Sequence, residues 1–150
     1  MSIFEEIDVD LNEIKQYYNS QLQQQNTDDD EMITIMNRIK NCENEKFTSL
    51  RLNGDFLKEV PLVLSNFYWL TELYIENTNI KTLTNLPPEL KSLSVSNNNI
   101  RSLDCSSLPK SLVTFTFRNN KTFDITGLNE EIKEIDLTEN NFNRIGCEIP

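Results

Sequence analysis

The sequence predicts an α/β solenoid. Short parallel β-strands should stack on a concave face, with an N-terminal α-helical hairpin as a cap. Three observations lead there. One hydrophobic frame recurs five times across residues 47–150, with starts at 47, 70, 90, 112 and 132. Inside each recurrence apolar residues alternate with polar ones, the period of two of a half-buried strand. Ahead of the repeats, residues 1–46 place apolar residues three and four apart, the period of an amphipathic helix.

The clearest copy is Leu86–Leu103, LPPELKSLSVSNNNIRSL. With Leu90 as position one, Leu93, Val95, Ile100 and Leu103 fall at positions four, six, eleven and fourteen, and Asn98 at nine. This resembles the leucine-rich-repeat pattern LxxLxLxxNxL, a short strand followed by an asparagine turn. Upstream, Leu70, Leu73, Ile75, Ile80 and Leu83 fit with Thr78 in the asparagine slot. Before them Phe47, Leu50, Leu52, Leu57 and Val60 fit with Asp55 in that slot. Downstream come Leu112, Phe115, Phe117 and Ile125 with Asn120, and then Ile132, Ile135, Leu137, Phe142 and Ile145 with Asn140. The steps are 23, 20, 22 and 20 residues, and Thr122 stands where an apolar residue is expected. No repeat can bury its apolar face alone, so the five must stack around one core.

In chain order, residues 1–26 read as a helix with Phe4, Ile7, Leu11, Ile14 and Tyr18 on one stripe. Ser2-x-x-Glu5 and Asp10-x-x-Glu13 both suit a capping box, and the second is chosen for the main helix. Gln21 to Asp29 reads as a loop. A second helix buries Met32, Ile35, Met36, Ile39 and Cys42, with Thr27 or Asp28 as its cap. The acids Asp28 to Glu31 suit the positive end of its dipole, and their spacing is not that of a calcium loop. Asn41 to Lys46 is expected to link into the first strand. Leu64, Phe67 and Leu70 then step by three, as in a helical turn on the convex side. That leaves Tyr68 and Trp69 at least partly outward, either as a secondary contact patch or packed on a neighbouring coil. Later connections, LPPEL and LPKSL, use proline to hold an extended path, and Gly127 eases a turn. The final Ile149-Pro150 falls where a further repeat would begin. The last coil is therefore expected to end in an open edge, a fragment boundary or a partner contact.

Composition narrows the chemistry. Of the net charge of −10, residues 1–46 carry 11 acids against 4 bases. That acidity argues against nucleic acid and anionic membrane as partners. No apolar run approaches the ~20 residues of a membrane span, and the acidic start does not resemble a signal peptide. Cys42, Cys105 and Cys147 are far apart, which suggests free thiols in a reducing, intracellular (cytoplasmic) compartment. Histidine is absent, glycine is scarce and no phosphate loop occurs. The expectation is a non-enzyme with no catalytic residue, cofactor or metal.

Binding is expected on the concave positions three, five and seven. They begin with Ser49, Arg51 and Asn53, then Glu72, Tyr74 and Glu76, then Ser92, Ser94 and Ser96. Thr114, Thr116 and Arg118 follow, and Glu134, Asp136 and Glu139 are assigned to the last row. Tyr and Arg are common interface anchors.

Arg38-Ile39-Lys40-Asn41-Cys42, followed by Leu50-Arg51-Leu52, Val60-Pro61 and LPPELKSLSVSNNNIRSL, resembles the LPX-type leucine-rich-repeat effectors of pathogenic bacteria (the YopM-, IpaH- and SspH-like family). The resemblance implies a helical cap, repeats of about twenty residues, and binding of a host protein. It transfers no binding residue. The function expected is a non-catalytic protein–protein interaction module, acting in the host cytoplasm if an effector. The alternatives are the substrate-recognition part of a cysteine-type ubiquitin ligase and a subunit that self-associates through its C-terminal repeat.

Overall fold

A computed structural model describes residues 29–122, 124–140 and 144–145. Several expectations lie outside these residues: the helix over 1–26 with its two capping boxes, the loop after it, the Thr27 or Asp28 cap, Phe142, Cys147 and the final Ile-Pro. The described chain opens with α1 (Asp29–Glu45). Eight strands follow: β1 (Ser49–Gly54), β2 (Glu72–Thr78), β3 (Ser92–Ser96), β4 (Ser102–Asp104), β5 (Thr114–Arg118), β6 (Asp124–Thr126), β7 (Glu134–Asp136) and β8 (Arg144–Ile145).

Met32, Ile35, Ile39 and Cys42 of α1 are buried, as their spacing predicts, and Met36 packs at the edge of the core. The helix runs five residues into the stretch expected to be a linker, Asn41 to Glu45. The reason is Cys42, which continues the buried stripe one turn beyond Ile39. Lys46 then takes a left-handed φ of 53°, and the Phe47 N–H donates to the Cys42 carbonyl at 3.2 Å. That pairing closes the helix end and leaves only residues 46–48 before β1.

The strands form a parallel solenoid. One sheet has the order β1-β2-β3-β5-β7, and Ser49, Glu72, Ser92, Thr114 and Glu134 are aligned across it. The offsets between those residues equal the steps between repeats, so each turn of the solenoid is one repeat. On the opposite side β4, β6 and β8 make a second parallel sheet, which the sequence pattern did not predict. Its residues occupy positions thirteen to fifteen of the third and fourth repeats and thirteen and fourteen of the last. In the first repeat position fifteen is Pro61, which has no N–H to give a ladder. There a short 3-10 helix, Leu62–Asn66, takes the convex side, and Leu64, Phe67 and Leu70 are fully buried behind it.

Positions four, six, eleven and fourteen are buried through the first four repeats. Thr122 is buried too, because its hydroxyl donates to the Ile100 carbonyl of the preceding coil. Phe47 departs from the frame at 52% exposed, whereas Leu70, Leu90, Leu112 and Ile132 at the same position are all buried. Those four rest on a preceding coil of the same shape. Phe47 follows a helix end, and its backbone is committed to closing that end.

A buried asparagine column stitches the coils. Asn98 Nδ2 donates to the Ile75 carbonyl at 3.1 Å, and its Oδ1 accepts from the Thr78 N–H at 3.0 Å. Asn120 does the same to Val95 and Asn98, at 3.0 and 3.2 Å. Asn140 does it to Phe117 and Asn120, at 2.8 and 2.9 Å. Each side chain thus satisfies a donor and an acceptor that the turn leaves unpaired. In the second repeat Thr78 substitutes with its hydroxyl, which donates to Asn98 Oδ1 and accepts from the Ile80 N–H. Asp55 does not join the column: its side chain is exposed, and its carbonyl accepts from Asn79 Nδ2.

Among the described residues, no helix is long and apolar enough to cross a membrane.

Candidate functional site

The five-stranded sheet brings the expected concave residues onto one face. Side chains at positions three, five and seven point the same way because they are two apart on a strand. Positions four and six point inward, and their burial fixes the register. The outward rows are then straight lines across the strands. Arg51, Tyr74, Ser94, Thr116 and Asp136 are neighbours in one row. Asn53, Glu76, Ser96 and Arg118 are neighbours in the next.

At the N-terminal end of the face the side chains form a connected set. Arg51 Nη1 donates to Glu76 Oε2 at 2.7 Å, and its guanidinium carbon lies 4.5 Å from the centre of the Tyr74 ring. The Tyr74 hydroxyl donates to Glu72 Oε2 at 3.4 Å. Arg38 on α1 reaches over the edge of the sheet to Asn53 Oδ1 and the Arg51 carbonyl, both at 3.3 Å. Arg38 was not among the expected site residues. Its only trace in the sequence is its place beside the buried Ile39.

The C-terminal end has its own pair. Arg118 Nε and Nη2 both reach Asp136 Oδ2, at 2.6 and 2.5 Å. The other oxygen, Oδ1, accepts from the Thr138 N–H at 3.0 Å. The bonds from Arg118 and then Thr138 hold the Asp136 carboxyl down at about 2, and the same pair raises the Arg118 pKa. Between the two ends Ser92, Ser94, Ser96, Thr114 and Thr116 form a half-buried floor of small hydroxyl side chains.

Glu139 is not in the outward rows. It stands one residue later, at position eight, with a left-handed φ of 59°, and position seven is Thr138. Position eight is left-handed throughout: Asn77, Asn97 and Asn119 have φ of 55°, 57° and 50°, and Gly54 has φ of 126°. Asn and Gly tolerate that region, which explains a second asparagine column that the repeat frame did not single out. Asn119 Nδ2 donates to Asn97 Oδ1 at 2.7 Å, so this column too is tied laterally.

The aromatic pair divides. Tyr68 is 57% exposed. Trp69 is half-buried, stacked on Phe67 at 4.5 Å between ring centres, with Lys46 Nζ 3.8 Å above its ring. Only Tyr68 is left as an outward contact. Cys42 and Cys105 are buried. Burial pushes the Cys42 thiol up, and it sits 3.3 Å from the Phe47 carbonyl as a donor. A packed, protonated thiol is a structural group rather than a nucleophile.

No protein-family model and no curated protein sequence matches this chain.

Proposed function

We propose that the chain is a leucine-rich-repeat module that recognises a protein through the outward rows of its five-stranded sheet, without catalysis. The LRR assignment rests on the LxxLxLxxNxL frame, now coupled to an asparagine column repeated three times with equivalent partners. On this reading α1 belongs to an N-terminal helical cap, and the LPX-type effector family is the relative to test first. Its compartment is the cytoplasm, the host's if the chain is an effector.

The observation that carries a binding function is the connected set Arg51–Glu76–Tyr74–Glu72. Its side chains are held by one another on a rigid sheet, so little side-chain freedom is lost when a partner docks. Anchors of this kind concentrate binding energy. The test is a quantitative pull-down from host lysate. Wild type is compared with a quadruple variant carrying Arg51→Ala, Tyr74→Ala, Glu76→Ala and Arg118→Ala, with circular dichroism to confirm folding. A protein captured by wild type and lost with the folded variant supports the reading. Equal capture by both moves the contact off this face.

A further inference from the structure

The outward rows carry unequal charge, and the inequality describes the partner. Both arginines on the strands of the face are already neutralised, Arg51 by Glu76 and Arg118 by Asp136, and Arg38 reaches only its N-terminal edge. Two carboxylates are not. Glu72 and Glu134 are exposed at position three of β2 and β7, and among the described residues neither has an ion pair. Ser92 and Thr114 stand between them in the same row, in register. Three strand spacings of ~4.8 Å separate the two positions by about 14 Å along the backbone row. The surplus charge of the strand face is therefore negative, carried at two positions three strands apart.

An extended polypeptide advances ~3.4 Å per residue and turns alternate side chains to one side. Residues i and i+4 on one side are then about 14 Å apart. A helix would need about nine residues for that distance, at ~1.5 Å per residue. A helix would also present an apolar stripe, and the floor of Ser92, Ser94, Ser96, Thr114 and Thr116 offers no apolar surface to receive one. The hydroxyls suit a bare peptide backbone, since each can donate and accept.

We infer that this face takes an extended basic peptide lying across the strands, with Lys or Arg at positions i and i+4 set on Glu72 and Glu134. The inference rests on the binding role proposed above and names the class of partner for that same face.

The probe is a fluorescent acetylated peptide, Lys-Ser-Thr-Ser-Lys, compared with versions holding the lysines adjacent or replaced by glutamate. Anisotropy at low salt reads the affinity. Wild type should prefer the i, i+4 peptide. Glu72→Gln and Glu134→Gln should each weaken it about fivefold, as for one exposed ion pair. The double variant should lose about 25-fold, because sites this far apart add. Glu59→Gln, an exposed carboxylate at position thirteen of the first repeat and off the face, should change nothing. Lysine spacing without effect, no binding of the peptide, or glutamine variants that bind like wild type would each overturn the inference.

A blocking variant separates this failure from failure of the wider reading. Ser94→Trp fills the middle of the floor and, with its fold checked by thermal melting, should abolish capture of the lysate partner. Capture lost with Ser94→Trp but unaffected by both glutamine changes leaves the face as the binding site and removes the basic-peptide inference. Capture retained with Ser94→Trp removes both.

Discussion

Asn120→Ala is the sharpest test of what holds the coils together. Asn120 is fully buried and bonds two coils at once, through the Val95 carbonyl and the Asn98 N–H. Truncation leaves that buried acceptor and that buried donor unpaired. Each orphan costs about 1–3 kcal/mol, so the loss is about 2–6 kcal/mol. The Arg118 carbonyl also loses a donor at 3.0 Å, but it is less buried and water can replace it. In urea, with a slope of about 2 kcal/mol/M, the midpoint should fall by about 1–3 M. The assay is a urea titration followed by far-ultraviolet circular dichroism and by the single tryptophan, Trp69. Asn120→Leu restores volume without the bonds and should not recover the loss. A midpoint shift below about 0.5 M for the alanine variant, or rescue by leucine, would refute the hydrogen-bonding account and leave packing as the cause.

Other outcomes follow from single observations. Gly54→Ala should destabilise by about 1–3 kcal/mol in the same titration, because φ is 126° and an added Cβ would lie 2.7 Å from the buried Phe56 ring. Glu139→Asn should stabilise by about 0.5–1 kcal/mol, since asparagine accepts the φ of 59° more readily than glutamate does. Asp136, held at about 2 against an ordinary 3.8, contributes stability that is present above pH ~4 and lost as pH falls through about 2. Asp136→Asn should flatten that acid limb of a pH–stability curve. With the pair exposed on the surface, it should cost under about 1 kcal/mol at neutral pH.

Much of the architecture was legible because burial writes itself into spacing. Leu93 and Val95 had to face inward, so Ser92, Ser94 and Ser96 had to face out, and the five starts then set the strand register. The misreadings have local causes. Phe47 is apolar and in frame, but burial needs a matching coil beneath it, and α1 supplies a helix end instead. Glu139 was placed a residue early because it is charged like its neighbours, while the left-handed turn at position eight shows only in backbone angles. Lateral pairs such as Arg118–Asp136 link residues a full repeat apart, and sequence gives their row but not their rotamers. Arg38 was missed because a charged residue on an amphipathic helix looks solvated until the sheet edge is placed beside it.

The second sheet has a mechanical meaning. Where β4, β6 and β8 lie behind β3, β5 and β7, both walls of the tube advance by the same ~4.8 Å per turn. Equal arc lengths on two sides leave nothing to bend the stack. In the first repeat the segment behind β1 is the 3-10 helix Leu62–Asn66 instead of a strand. The first coil and the last three are thus backed by different walls, one a helical turn and the other laddered strand to strand. Arg51 stands on a coil of the first kind, and Ser94, Thr116 and Asp136 stand on coils of the second.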